Sequence, residues 1–211
     1  MPHGKAAVAK RRGGGYGGSM DAFNDLSSPA ALLATRRSGK ARDLVAPGPD
    51  SATLRAIVGA AMRVPDHGKL APWRFVIIAD RRRAALSDAM VAALANERPA
   101  AAPIEIDAVR GFALQAPCLV VVLARPNLAK AIPEWEQQLS VGAACGLLCL
   151  AAHAHGFVAN WLTGWAAYSP GVTTALGEAG ERIAGFFFIG SQARPLEERP
   201  RPDYDAVVRD W

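Results

Sequence analysis

The chain has 211 residues, of which 51% are hydrophobic, with three cysteines and a formal net charge of +5. This length fits a single domain with a sizeable core, and the odd cysteine count argues against a disulfide framework. Four of the 24 basic residues lie within residues 1–20, which contain no acid, so the remainder holds 20 basic and 19 acidic residues. A nearly neutral body excludes an extended nucleic-acid-binding surface.

The N-terminal 20 residues are glycine-rich and of low complexity, so we expect residues 1–20 to be a disordered extension and residues 21–211 to form one domain. Gly13, Gly15 and Gly18 spell GxGxxG, but no predicted strand precedes them and no helix follows, which excludes a dinucleotide-binding motif. The basic residues here are not followed by an apolar signal region. We therefore expect a cytoplasmic protein.

The first half of the domain is predicted to contain three helices and one strand. A Ser-Pro pair at 28–29 is typical of a helix start, and this helix should end near residue 37. The second helix begins at the Asp-Ser pair 50–51, carries an amphipathic apolar stripe and ends before Pro65. The pattern then predicts a strand over residues 75–78, a helix over 81–97 and a loop over 99–103.

The second half contains the most apolar segments of the chain. Residues 118–124 are valine-rich and predict a buried central strand, and residues 135–155 predict a helix that is apolar on nearly every face after Ser140. Such a helix lies inside a core or against a second subunit. A strand after it, a short helix over 169–177 and a strand over 186–189 complete an α+β fold, in which we expect a central mixed sheet flanked by helices.

The three cysteines all lie in apolar runs, where a reduced cysteine packs as a small hydrophobic side chain. They are Cys118, Cys145 and Cys149. No further ligands stand nearby at a useful spacing, so we expect no metal site. No apolar run reaches the roughly 18 uninterrupted residues that indicate a transmembrane helix.

Three short stretches could bind a ligand, and each also has a purely structural interpretation. The sequence RRS at residues 36–38 has two guanidinium groups and a hydroxyl that could bind an anion. Its two cations could instead stabilise a helix C-terminus through the helix dipole. The stretch RVPDHGKLAPWRF, residues 63–75, is called here the proline loop. Its prolines stiffen a segment with three basic side chains and a histidine, and it is either an anion-binding loop or a rigid connector. The stretch NWLTGW, residues 160–165, could hold a flat ring or pack on the core.

These stretches carry a resemblance to a known family. The sequences RRS, MRVPDHGKLAPWRF and PEWEQQLSVGAACGLLCLAAHAHGF followed by WLTG are similar to those of the FMN-dependent nitroreductases, and most similar to the short YdjA-like bacterial NAD(P)H nitroreductases. The similarity spans residues 27–191. It implies a nitroreductase-like fold and an intertwined homodimer with two FMN molecules at the interface. It also implies a ping-pong cycle in which NADH or NADPH reduces FMN at N5 and a nitroaromatic, quinone or similar acceptor reoxidises it.

The same resemblance assigns roles to residues, and it implies no catalytic side chain because the chemistry occurs on FMN. The FMN phosphate and ribityl chain are expected to be bound by Arg36, Arg37 and Ser38. FMN is expected to be reached from the partner subunit by Arg63 and His67. The flavin is expected to be lined by Trp161, Leu162 and Thr163. Residues expected near the nicotinamide donor are Ala151, Ala152, His153, Ala154, His155 and Gly156. Leu162 departs from the polar or basic residue of relatives, and Arg194 could replace that contact.

Three other interpretations remain. The chain could bind FMN without turning over NAD(P)H, as a flavin store or sensor. It could reduce or dehydrogenate a specialised metabolite. A hydrolase that uses Asp66 and His67 is disfavoured, because adjacent loop residues rarely point the same way and no G-x-S-x-G motif is present.

Overall fold

The structure is a computed structural model that describes residues 23–211. The predicted disordered extension and the GxGxxG sequence at Gly13 lie outside the described residues. From residue 23 onwards the chain folds as helices packed on a five-stranded sheet, which confirms the predicted α+β class.

The sheet is organised around its longest strand, β5. The strands are β1 (Leu44–Val45), β2 (Trp73–Ile77), β3 (Cys118–Ala124), β4 (Val158–Leu162) and β5 (Arg182–Gln192). Strand β5 pairs with β1, β3 and β4, and β2 pairs with β3. Every pairing between the described strands is antiparallel, so the expectation of a mixed sheet is wrong for this chain. Strands β3 and β4 do run in the same direction and are joined through α5, but β5 lies between them, so no two neighbouring strands among those described are parallel.

Five of the eight helices that the structure describes begin within one residue of their predicted starts, and the other three were not predicted. Their bounds are α1 (Pro29–Thr35), α2 (Ser51–Ala61), α3 (Asp80–Glu97), α4 (Pro103–Phe112), α5 (Glu134–Ala154), α6 (Gly164–Tyr168), α7 (Pro170–Leu176) and α8 (Tyr204–Val207). The side chains of Ser28, Asp50 and Ser169 accept backbone N–H groups in the first turns of α1, α2 and α7, at 3.0, 2.7 and 3.1 Å. Satisfying these otherwise unpaired donors stabilises each helix start.

Helix α4 was not predicted. The sequence suggested a loop up to Pro103, but proline is well suited to the first turn of a helix, and α4 begins there. Val109 and Phe112 face the core but are only partly buried, and no residue of the helix is fully buried, so the segment stands out less than the strongly apolar runs elsewhere in the chain.

Helices cover both faces of the sheet and create two apolar clusters. On one face, α2 and α5 pack against alternate residues of β3 and β5, with Ile57, Leu148 and Phe187 fully buried. On the other face, α3 and α6 pack against the intervening residues, with Met90 and Phe188 fully buried. Burial on both faces explains why β3 and β5 are continuous apolar runs rather than alternating ones.

Helix α5 is buried along one side and open along the other. Its 21 residues are long and apolar enough to cross a membrane by length and composition, but 56% of the apolar window is buried inside the protein. The exposed residues form a stripe at helical spacing, called here the open face of α5. Its members are Trp135, Leu139, Gly142, Ala143 and Gly146. In the protomer α5 is therefore covered on one side only, and packing of the uncovered stripe against a second subunit stays a prediction.

Candidate functional site

The segment RRS and the segment NWLTGW meet at one cavity, called here the Arg36 cavity. It has a volume of about 690 Å³ and is lined by residues 36–40 after α1, residues 160–162 of β4, Gln192 at the end of β5 and residues 194–197 after it, together with Gly146 and Cys149 of α5. The Asn160 amide donates to the Gly39 carbonyl and so joins elements 121 residues apart. The volume lies within the range of small-molecule and cofactor sites, roughly 300–1,000 Å³.

The Arg36 cavity is rich in cations. Arg36, Arg37, Lys40, Arg194 and Arg199 all line it, against the two carboxylates Asp43 and Glu197. The predicted residues 36–38 therefore lie together, and so does Arg194, which the sequence suggested as a replacement for the missing contact at Leu162. A group of guanidinium donors around a concave surface can bind a phosphate or carboxylate.

The arginine pair is held in place by residues far away in sequence. Asn24 clamps the backbone of Arg37, accepting its N–H at 2.8 Å and donating to its carbonyl at 3.1 Å. The Arg37 side chain donates from Nε to the Glu197 carbonyl at 2.5 Å, while Arg36 donates to the Ser38 hydroxyl at 3.3 Å. The sequence did not indicate Asn24, because a hydrogen-bonded contact between residues 13 apart has no short sequence motif.

Trp161 supplies a flat aromatic surface at the cavity. Its ring stacks on Phe187 with a centroid distance of 5.3 Å, and its Nε1 donates to the Ala184 carbonyl at 3.1 Å. This position requires glycine at 185, where an added Cβ would lie only 2.1 Å from Trp161 Nε1. Leu162 lines the same cavity, whereas Thr163 is not among the lining residues and lies at the start of α6.

A second cavity, which the sequence did not predict, lies beside the first and shares Trp161 with it. It has a volume of about 810 Å³ and runs between α5, at Gly142 and Cys145, and the segment from Tyr168 to Ala184. Glu181 lines it and forms a bidentate ion pair with Arg74. The Arg74 hydrogen bond holds the pKa of the Glu181 carboxyl below its ordinary value.

The proline loop lies elsewhere on the protomer. Arg63 and His67 are exposed and do not line the Arg36 cavity of their own chain. The Asp66 carboxylate accepts the N–H groups of Leu70 and Ala71 at 3.1 and 2.8 Å, so it is used to shape the loop. His67 instead contacts Glu136, with 2.6 Å between Nδ1 and Oε2. This geometry removes the Asp66–His67 pair on which a hydrolase would depend.

The segment 151–156 is only partly accessible. Ala151, Ala152 and His153 are buried in the core, and His153 is 1% exposed. These three residues present almost no accessible surface in the protomer, whereas Ala154, His155 and Gly156 are exposed. Burial, with a smaller contribution from the Arg36 charge, lowers the pKa of His153 to about 4, so its ring is neutral near pH 7.

A profile of the nitroreductase family matches residues 33–191, three quarters of the chain. The chain belongs to the nitroreductase family. It is 34% identical over 165 residues to the Escherichia coli K12 protein named "Putative NAD(P)H nitroreductase YdjA", a match covering 76% of this chain and 86% of that protein. Family membership makes this nitroreductase an oxidoreductase, as the resemblance of RRS, the proline loop and WLTG implied.

Solved structures share the fold of this nitroreductase. The nitroreductase-like protein of Bacillus cereus superposes with a TM-score of 0.75 at 21% identity, covering 92% of this chain and 99% of that one. NfnB of Sphigopyxis sp. strain HMH, described as an FMN- and NADPH-dependent nitroreductase, has a TM-score of 0.66 at 22% identity, covering 87% and 98%. At sequence identities of 21–22%, this structural similarity establishes the predicted nitroreductase-like fold.

The cysteines of the nitroreductase are structural. Cys118, Cys145 and Cys149 are free and buried, as predicted. Burial raises the pKa of Cys118 to about 11 and that of Cys145 and Cys149 to about 12, so these thiols stay protonated at neutral pH. Among residues 23–211, no cluster of His, Cys, Asp and Glu side chains is placed to hold a metal ion.

Proposed function

We propose that the nitroreductase binds FMN in the Arg36 cavity and passes electrons from NADH or NADPH to an organic acceptor. The observation that carries the proposal is the meeting of Arg36, Arg37 and Ser38 with Trp161 and Leu162 around one cavity, although the two segments lie more than 120 residues apart. The names of the relatives support the same function, since YdjA is named for NAD(P)H and NfnB for FMN and NADPH.

The residues of the cavity fit the chemistry of FMN. The cations around Arg36 and Arg37 match a phosphate, and the Trp161 surface matches a flat ring. The Asn160 Oδ1 atom is buried and has no hydrogen-bond partner within residues 23–211. A buried acceptor without a donor is costly, and the imide N–H of a flavin would satisfy it.

When bound, FMN would supply the redox chemistry, the transfer of electrons from NAD(P)H to a nitroaromatic, quinone or similar acceptor. The protein then needs no nucleophile and no general base. We assign Arg36, Arg37 and Ser38 to the phosphate and ribityl chain, and Trp161, Leu162 and Thr163 to the ring. Arg194 would add the charge that Leu162 lacks. The exposed residues Ala154, His155 and Gly156 are the part of α5 and its end that a nicotinamide donor could reach.

We further propose a cytoplasmic homodimer that buries the open face of α5. Trp135 and Leu139 are 67% and 54% exposed there, and a soluble protein gains stability by covering such a stripe. A partner on this face would adjoin both cavities, because Gly142 and Gly146 of the open face line one cavity each. Arg63 and His67 of the proline loop, which do not reach their own cavity, would then contact FMN of the partner subunit.

The visible spectrum of the purified protein tests the proposal. We expect a yellow protein that bleaches when NADPH or NADH is added anaerobically. A yellow protein that neither nucleotide bleaches would identify a flavin-binding protein without NAD(P)H turnover. A colourless protein that takes up no added FMN would refute the assignment of the Arg36 cavity.

A further inference from the structure

The polar residues at the start of α5 bind loops. Gln137, which is 3% exposed, donates to the carbonyls of Asn127 and Ile132 at 3.2 and 3.1 Å and accepts the Asn127 N–H at 2.7 Å. Ser140 donates to the Pro65 carbonyl at 2.8 Å. The Gln137 bonds hold the loop before α5, while the Ser140 bond and the two that Asp66 accepts hold the backbone of the proline loop without a bond from Glu136.

Glu136 has a different partner, the imidazole of His67. Its Oε2 lies 2.6 Å from Nδ1, and a carboxylate can only accept a hydrogen bond, so Nδ1 must carry the proton. In a neutral imidazole the other nitrogen, Nε2, is then an acceptor. The structure leaves Nε2 without a hydrogen bond to residues 23–211.

The Glu136–His67 pair is a poor source of stability but an effective orienting device. The His67 side chain is 66% exposed and the Glu136 side chain 43% exposed. Contacts between exposed charged groups add little to the free energy of unfolding. The terminal torsion of histidine is broad and roughly two-fold, so a ring without a partner is held in neither one orientation nor one tautomer. A half-turn exchanges Nδ1 with Cδ2 and Nε2 with Cε1, and the proton of a neutral ring can sit on either nitrogen. Glu136 removes that ambiguity.

We propose that Glu136 is a positioning residue, which holds His67 in the Nδ1–H tautomer and directs Nε2 away from its own protomer. That Nε2 meets FMN of the partner subunit rests on the proposed function. The glutamate of the WEQ sequence thereby prepares the ring for its ligand before the cofactor arrives.

The tautomer can be measured directly by nitrogen NMR of the imidazole in the flavin-free protein. We expect Nδ1 to be the protonated nitrogen in the wild type and Glu136→Gln to lose this preference, because an amide can both donate and accept. Glu134→Gln is the matched control: Glu134 lies on the same turn but contacts Gln138 and Arg182. An unchanged His67 tautomer in Glu136→Gln, with the same thermal stability, would overturn the proposal.

A double-mutant cycle on FMN affinity tests the link to the cofactor. We expect Glu136→Gln to weaken FMN binding roughly fivefold, the scale of one exposed charge-assisted hydrogen bond, and to have no further effect in a His67→Ala background. An equal loss in both backgrounds would show that Glu136 does not act through His67. If His67→Ala binds FMN like the wild type, the partner-subunit role in the proposed function fails, while the NMR result still decides the Glu136 contact.

Discussion

The buried histidine at the end of α5 predicts how the stability of the protein depends on pH. His153 is 1% exposed, its Nε2 accepts the Ala159 N–H at 3.2 Å, and its Nδ1 has no partner within residues 23–211. Protonation would place a second positive charge near Arg36 in a site that water does not reach. The pKa of about 4 in the folded state compares with 6.5 for an ordinary histidine.

The size and sign of the effect follow from this difference. Because the unfolded chain binds the proton first, the free energy of unfolding should fall as the pH drops from about 6.5 towards 4. A difference of about 2.5 pKa units corresponds to about 3 kcal/mol, of which about 2 kcal/mol should be lost by pH 5. Glu181 and Asp50 also have lowered pKa values, but they lose their contributions only below their ordinary values of 4.5 and 3.8.

Urea unfolding followed by tryptophan fluorescence between about pH 8 and pH 5 measures this loss. His153→Gln keeps an acceptor for the Ala159 N–H but cannot be protonated, so the fall in unfolding free energy should shrink by about 2 kcal/mol at pH 5. His155→Gln, a change at the exposed neighbour, should keep the full pH dependence. The same pH dependence in His153→Gln and wild type would refute the reasoning.

Three further predictions concern the cavities. Arg37→Ala should lower FMN retention at least about tenfold, measured as released flavin per subunit, because the proposed phosphate site loses a guanidinium. The control Arg110→Ala on α4 should retain FMN. Unchanged FMN affinity in Arg37→Ala would exclude the phosphate role of Arg37. Gly142→Lys should give a flavin-free monomer by light scattering, since a Cβ there meets no atom within 4 Å in the protomer but would meet a partner. Gly111→Lys, equally unobstructed on α4, should remain dimeric, and a stable yellow monomer of Gly142→Lys would contradict the interface. None of the three buried thiols should react with a thiol reagent at neutral pH until denaturant is added, and rapid native labelling would disprove their burial.

Local signals in the sequence were sufficient for most helices and for the central strands. The caps at Ser28, Asp50 and Ser169 are side-chain to backbone contacts within three residues, so a short motif encodes them. Strand β3 was predicted with its exact bounds, because an apolar run that is buried on both faces has no competing pattern. Helix α4 has no fully buried residue and carried no such signal.

The family resemblance could propose residues for the site but not their geometry. RRS and WLT could be assigned from the family resemblance, yet only the fold brings Trp161 next to Arg36 and places Arg194 in the same cavity. Segment 151–156 was assigned in the same way, and the fold leaves only its last three residues exposed. A helix end of small residues resembles a ligand surface in sequence, while the packing of α5 against β4 buries His153.

Helix α5 explains why the sequence WEQQLSVG is informative about this fold. Gln137 and Ser140 hold two loops, Glu136 holds His67, and Gly142 leaves room on the face that lines the second cavity. None of these side chains needs to touch a reacting atom for the motif to matter. Polar groups at the start of an otherwise apolar helix are costly to bury unless each finds a partner, and the two buried ones, Gln137 and Ser140, both find theirs in loops. The motif therefore specifies where the proline loop sits, and through that placement it determines what His67 can reach.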